Sequence, residues 1–152
     1  MTTANVVFSG PATKRDPITR SKLIASGQTI LPGHLVVLNG SGEFVANTTQ
    51  GVVEGVMIAD MNVIEQKSVT EALTAGDMAK AFVPEVGCTY NLVLAASQTI
   101  AEGDGLTPDA TAGQVEAAAS GDEVMFVAEE AVTTTGATGR IRVRCVATST
   151  TA

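Results

Sequence analysis

Two stretches seventy residues apart decide how this chain folds: Thr29-Ile30-Leu31-Pro32-Gly33-His34-Leu35 and Thr99-Ile100-Ala101-Glu102-Gly103-Asp104-Gly105-Leu106. Each opens on a Thr-Ile pair, turns at a glycine and runs on into apolar residues. A turn-rich stretch follows in both, ending as Gly42-Glu43-Phe44-Val45-Ala46 in the first and Gly113-Gln114-Val115-Glu116-Ala117 in the second. Then comes an apolar strand closing on an acid, Val56-Met57-Ile58-Ala59-Asp60 against Met125-Phe126-Val127-Ala128-Glu129. Leu73-Thr74-Ala75-Gly76-Asp77-Met78 is a partial third copy of the opening element. The recurring glycine supplies the turn into each strand. The pattern predicts a mainly β fold, a small β-barrel or sandwich built by internal duplication.

Working outward, the remaining segments read as short strands. Leu35–Leu38, the turn Asn39-Gly40-Ser41-Gly42 and Glu43–Ala46 form a hairpin pattern, because Asn-Gly permits the positive φ of a tight turn. Val52–Asp60 reads as one longer strand. Met78–Val83 and Cys88–Ala95 flank a turn at 84–87, and Cys88, Tyr90, Leu92 and Leu94 alternate with period two. Glu123–Ala128 and Arg140–Ala147 complete the set. At most one short helix is expected, over 62–74, where Ser68-Val69-Thr70-Glu71 matches a capping box, although the stretch also alternates as a strand does. Residues 10–22 carry two prolines, four cations and almost no apolar period, so they read as an arm outside the core. The expected organisation is an extended basic arm over 1–28, one β domain over 29–147 and a flexible Thr-rich tail over 148–152.

Composition fits this reading. Ala, Val, Thr and Gly make up half of the 152 residues, hydrophobic residues are 45%, and mean hydropathy is +0.26. Such a chain builds strands readily and is not disordered. The net charge of −7 is unevenly spread: residues 1–22 carry +3, 23–139 carry −13 and 140–152 carry +3. An acidic body with basic ends binds nucleic acid poorly, because phosphate neutralisation needs a basic surface. It suits head-to-tail protein contacts. The cations follow Val6–Phe8 instead of preceding it, unlike a targeting peptide. The longest apolar runs fall far short of the ~20 residues that span a bilayer. Cys88 and Cys145 read as reduced core cysteines or as a single bridge between two strands.

Enzymatic chemistry finds little to stand on. His34 is the one histidine and follows Pro32-Gly33, so neither a multi-histidine metal site nor a paired-histidine mechanism can be built. No nucleophile elbow, Walker sequence or dinucleotide fingerprint occurs. Asp122/Glu123, Glu129/Glu130 and Glu102/Asp104 read as solvated loop acids. Asp104–Asp109 lacks the acid spacing of a calcium loop. No catalytic residue, metal or cofactor is expected.

The sharpest positive feature is Arg140-Ile141-Arg142-Val143-Arg144-Cys145, whose period of two puts three guanidinium groups on one face. Acids of a neighbouring strand could pair with that face, or an acidic partner or second copy could dock on it.

From Ile30 onward the pattern resembles the head-decoration (cement) proteins of tailed bacteriophages. It runs Ile30–Leu38, a Gly-rich turn into Glu43–Ala46, Val53–Asp60, Ala75–Ala79 and Ile100–Leu106. About four-fifths of the chain follows this style. The resemblance implies a small β domain on the outer surface of an assembled capsid, commonly a homotrimer at local three-fold positions, that reinforces the shell. The partners implied are the major capsid protein and a second copy, with neither nucleic acid nor membrane. The protein would be made in the host cytoplasm and end in the virion. An N-terminal arm reaching neighbouring capsid subunits would place Lys14, Arg15, Arg20 and Lys22 as its anchors, with Arg140, Arg142 and Arg144 as further contacts. On that reading, deleting residues 1–22 weakens particle binding and leaves the body folded. A fibre-associated or glycan-binding β module is the alternative; five aromatics argue against sugar stacking.

Overall fold

The computed structural model describes residues 7–10, 17–61 and 68–152. Among them all regular structure is β: β1 (Phe8–Gly10), β2 (Thr19–Leu23), β3 (Thr29–Ile30), β4 (Leu35–Leu38), β5 (Phe44–Ala46), β6 (Met57–Ala59), β7 (Leu73–Thr74) and β8 (Met78–Phe82). The second half supplies β9 (Thr89–Leu94), β10 (Thr99–Ile100), β11 (Gly105–Pro108), β12 (Val115–Ala117), β13 (Glu123–Ala128), β14 (Val132–Thr133) and β15 (Gly139–Thr150).

The duplication visible in the sequence is a duplication of topology. The first half orders its strands β2-β8-β6-β4-β5, and the parallel bridge Ile24↔Phe44 joins its two ends. The second half orders the equivalent strands β9-β15-β13-β11-β12, and the parallel pair Leu94↔Val115 closes it into a ring. A two-stranded ribbon sits beside each, β3 with β7 and β10 with β14. Registers agree residue by residue: Val36↔Ala46 and Leu38↔Phe44 match Leu106↔Ala117 and Pro108↔Val115. Even side-chain bonds repeat, since Gln28 Oε1 accepts from Ala46 N–H and Gln98 Oε1 from Ala117 N–H, both at 3.0 Å.

The apolar interiors correspond as well. Ile24, Ile30, Val36, Phe44, Met57, Leu73, Ala79 and Ala81 occupy the first ring where Leu94, Ile100, Leu106, Val115, Phe126, Val132, Ile141 and Val143 occupy the second. Volume is traded between positions: Phe44 fills space beside Ala79 and Ala81, whereas Val115 leaves room for Ile141 and Val143. Each buried aliphatic or aromatic side chain contributes roughly 1.5–3 kcal/mol relative to exposure.

A four-residue turn recurs at 31–34, 74–77, 101–104 and 119–122. Its third residue is a glycine with φ of +90°, +86°, +93° and +91° respectively. In each, the fourth residue donates its N–H to the first carbonyl and its side chain accepts the first N–H. The acceptor is Asp77, Asp104 or Asp122, and in the first copy it is His34 Nδ1.

The two rings meet closely. Leu35 N–H donates to Gly113 O, and Gly113 N–H to Asn47 O, both at 2.8 Å. A Cβ on Gly113 would lie 2.6 Å from His34 Cγ, and one on Gly33 would lie 2.8 Å from Asn91 O. Phe8, Phe82 and Tyr90 pack with ring centroids 5.5–6.0 Å apart, joining β1 to both rings.

The structure departs from the sequence reading in several places. Within the expected arm over 1–28, residues 17–22 do lie at the surface, but the described residues are tied to the body by burial or strand pairing. Val7 is fully buried, β1 pairs with β9, and β2 pairs with β8 along its whole length. The tail is paired too, with Thr150 opposite Glu123 and Ser149 opposite Val124. Only Met57–Ala59 of the expected strand at 52–60 is strand, because Val53–Val56 turns at Gly55, whose φ is +70°. In the hairpin turn the positive φ belongs to Gly42, while Asn39 Oδ1 accepts from both Ser41 and Glu43 N–H. Of the helix expected over 62–74, residues 62–67 lie outside the described residues. Glu71 does reach back to Ser68 N–H, at 2.6 Å, but the bond closes a turn that leads into β7.

Candidate interaction surface

Among the described residues, β2 is the one strand of five residues or more that is exposed throughout. Its equivalent in the second ring, β9, is buried from Tyr90 to Leu94. The sequence accounts for the contrast. Arg20 and Lys22 stand where Tyr90 and Leu92 stand in the second ring, as the pairings Arg20↔Ala81 and Lys22↔Ala79 against Tyr90↔Val143 and Leu92↔Ile141 show. Both cations thus take the ring-facing positions of β2 but remain exposed, carried by long side chains that reach solvent. Of the four N-terminal cations singled out in the sequence, these two lie on this strand; Lys14 and Arg15 lie outside the described residues.

Beside β2 lies a cavity of about 550 Å³. Val37, Leu38, Val53, Met57, Val83 and Pro84 wall it, and Arg20 and Glu54 bring opposite charges to it. Exposed apolar residues gather nearby: Leu38 in the wall, Val52 next to Val53, and Ile18, whose carbonyl accepts Val83 N–H at 2.9 Å. At the far end of β2, Leu23 and Met78 face each other as a pair, 44% and 60% exposed. Sequence reasoning did not find this surface, because its apolar members come from four separate segments with no shared period.

The three arginines of β15 separate into different roles. Arg144 pairs with Glu129 at 2.9 Å on the surface, so an acid of the neighbouring segment does lie opposite it. Arg142 is exposed, and its backbone N–H donates to Glu130 Oε1 at 2.9 Å. Arg140 turns inward, half-buried: its Nη2 donates to Pro32 O at 2.8 Å and also to Val69 O. It ties the second ring to two loops of the first.

Both cysteines are free thiols. Cys145 N–H donates to Cys88 O at 2.9 Å, so they are neighbours across the ladder. Burial pushes the Cys145 thiol up to about 11, with Cys88 and Glu85 adding to the shift. His34 is buried, and burial followed by the nearby Arg140 charge lowers its pKa to about 4. With Nδ1 accepting from Leu31 N–H at 3.1 Å, the neutral ring carries its proton on Nε2. Among the described residues no three His, Cys, Asp or Glu side chains gather as metal ligands.

No protein-family model and no curated protein matches the chain. Among solved structures it is similar to the N base of the head fiber gp8.5 of bacteriophage phi29, with a TM-score of 0.54 and 11% sequence identity. That match covers 84% of this chain and 94% of the other. At this level of identity the likeness is one of fold, and it confirms a mainly β architecture shared over most of both chains.

Proposed function

We infer that this chain is a non-enzymatic structural protein of a phage head, which seats on the outside of the assembled shell and stabilises it as a decoration protein. The observation that carries the reading is the fold shared with a phage head-fiber base over 84% of the chain. The surface supports it: a cationic, fully exposed edge strand beside an apolar cavity is chemistry for protein contact, and Arg142 adds a further exposed cation. The partner is the major capsid protein, and the contacting residues are Arg20, Lys22, Arg142 and Arg144, with Lys14 and Arg15 on the same N-terminal segment. Three copies would sit about a local three-fold, so that many modest contacts sum over the shell. Arg140 is set apart as an internal tie.

Co-sedimentation with empty shells assembled without this chain tests the reading. Saturable binding, and shells that then withstand heating better, are expected; shells that neither bind it nor gain stability refute it. Light scattering across a concentration series gives the native mass, with three copies expected. A fibre-associated base is the second reading, favoured by the identity of the structural neighbour. Electron micrographs of decorated shells separate the two, since a base carries projecting density and a cement protein lies flat.

A further inference from the structure

The duplicated topology contains an internal template for docking. In the second ring, the edge of β9 that faces away from β15 receives an added strand: β1 lies antiparallel on it, with Phe8 opposite Tyr90. Asn91 N–H donates outward to Val7 O, and Val7 is fully buried. In the first ring, Thr19, Arg20 and Ser21 hold the places of Thr89, Tyr90 and Asn91, fixed by the matching registers against β8 and β15. Among the described residues no strand pairs with that edge, although the ring closes at the equivalent point through Ile24↔Phe44. Among the described residues the same architecture is thus filled once and open once.

We propose that the open edge of β2 receives an extended segment of the shell protein as an added antiparallel strand, with a carboxylate opposite Arg20 where Phe8 stands opposite Tyr90. The partner is the one assigned under the proposed function, and this inference rests on that reading. Charge selects the occupant. Arg20 and Lys22 stand at positions that are apolar or aromatic in the filled copy, so an added strand must bring acid to them or leave two cations facing it. The basic N-terminal segment of a second copy, with Lys14 and Arg15, is repelled by the same charges. Backbone pairing supplies affinity, and the carboxylate supplies register and selectivity.

Two variants of the full chain test it against the empty shells. Ser21→Pro removes the amide that corresponds to the outward-donating Asn91 N–H, a change that edge strands tolerate. Arg20→Glu with Lys22→Glu reverses both charges on an exposed strand and decides alone should Ser21→Pro unfold. Each is expected to weaken shell binding roughly tenfold or more with thermal unfolding unchanged. Hydrogen exchange of amides 19 and 21, which face the open edge, is expected to slow in the wild-type chain on the shell. Wild-type binding that survives both variants, with amides 19 and 21 unprotected, overturns the added strand and leaves the capsid role standing. A wild-type chain that does not bind shells overturns the role and the added strand together.

Discussion

His34 and Gly33 occupy one turn, and each sets a different cost. The imidazole is neutral in the fold, held there by burial first and by Arg140 second, with a folded pKa of about 4 against 6.5 unfolded. A lowered value means that the unfolded chain takes up the proton first. The associated stability is therefore complete above pH 6.5 and lost as pH falls toward 4, amounting to at most about 3 kcal/mol. Protonating Nδ1 also breaks its bond with Leu31 N–H. Thermal unfolding at pH 7 and pH 4 should show a steeper loss for the wild type than for His34→Gln; parallel losses would remove His34 from the acid response. At the neighbouring position, Gly33→Ala faces both a φ of +90° and Asn91 O at 2.8 Å, whereas Gly103→Ala in the equivalent turn meets only the φ of +93°. Denaturant titration should find about 1 kcal/mol for Gly103→Ala and at least twice that for Gly33→Ala.

Strands with one buried face are readable from sequence, and strands without one are not. β13 was legible residue for residue because Val124, Phe126 and Ala128 are buried alternately between half-buried neighbours. β4 and β5 were legible because Asn39 and Gly42 mark the turn between them. β2 offered no such signal: its five residues are all exposed, so backbone pairing alone defines it. The Ser68–Glu71 bond would cap a helix as well as it closes a turn, and the long-range pairing Ile30↔Leu73 decides between them. The two candidate cations Arg20 and Lys22 were found by charge, but the edge they stand on needed the fold. Arg140 shows the limit of a strand pattern, which fixes the face of a side chain and not its reach to Pro32 and Val69. Arg140→Ala should cost about 2 kcal/mol in thermal or denaturant unfolding, and Arg140→Lys nearly as much, since an ammonium lacks the planar fork that serves two carbonyls. Thiol titration of the native protein should label Cys88 well before Cys145, because Cys145 is buried and its pKa is raised to about 11.

The molecule as a whole joins two similar rings unequally. The second is covered by β1 and by the first ring, and among the described residues no strand covers the outer edge of β2 in the first. Removing residues 1–10 takes away Val7, which is fully buried, and the Phe8 ring against Phe82 and Tyr90. That deletion should destabilise the chain by roughly 2–5 kcal/mol, so a binding defect in it would not by itself locate the capsid contact. Point changes on β2 do locate it. If charge guides docking, raising the salt concentration should slow association with shells more than it speeds release, as rapid-mixing measurements can test.

The pairing of β1 with β9 also imposes an order in time. Phe8 leaves the ribosome more than eighty residues before its partner Tyr90, and the ladder behind Tyr90 is incomplete until β15 arrives. The first ring, by contrast, contains every strand it needs between Thr19 and Phe82 and can close while the second half is still being made. A segment that precedes the first ring in the chain is therefore seated after that ring can close. Throughout that interval Val7 and Phe8 are unpaired apolar side chains on a nascent chain, so slowing translation between β8 and β9 would lengthen their exposure without changing the finished protein.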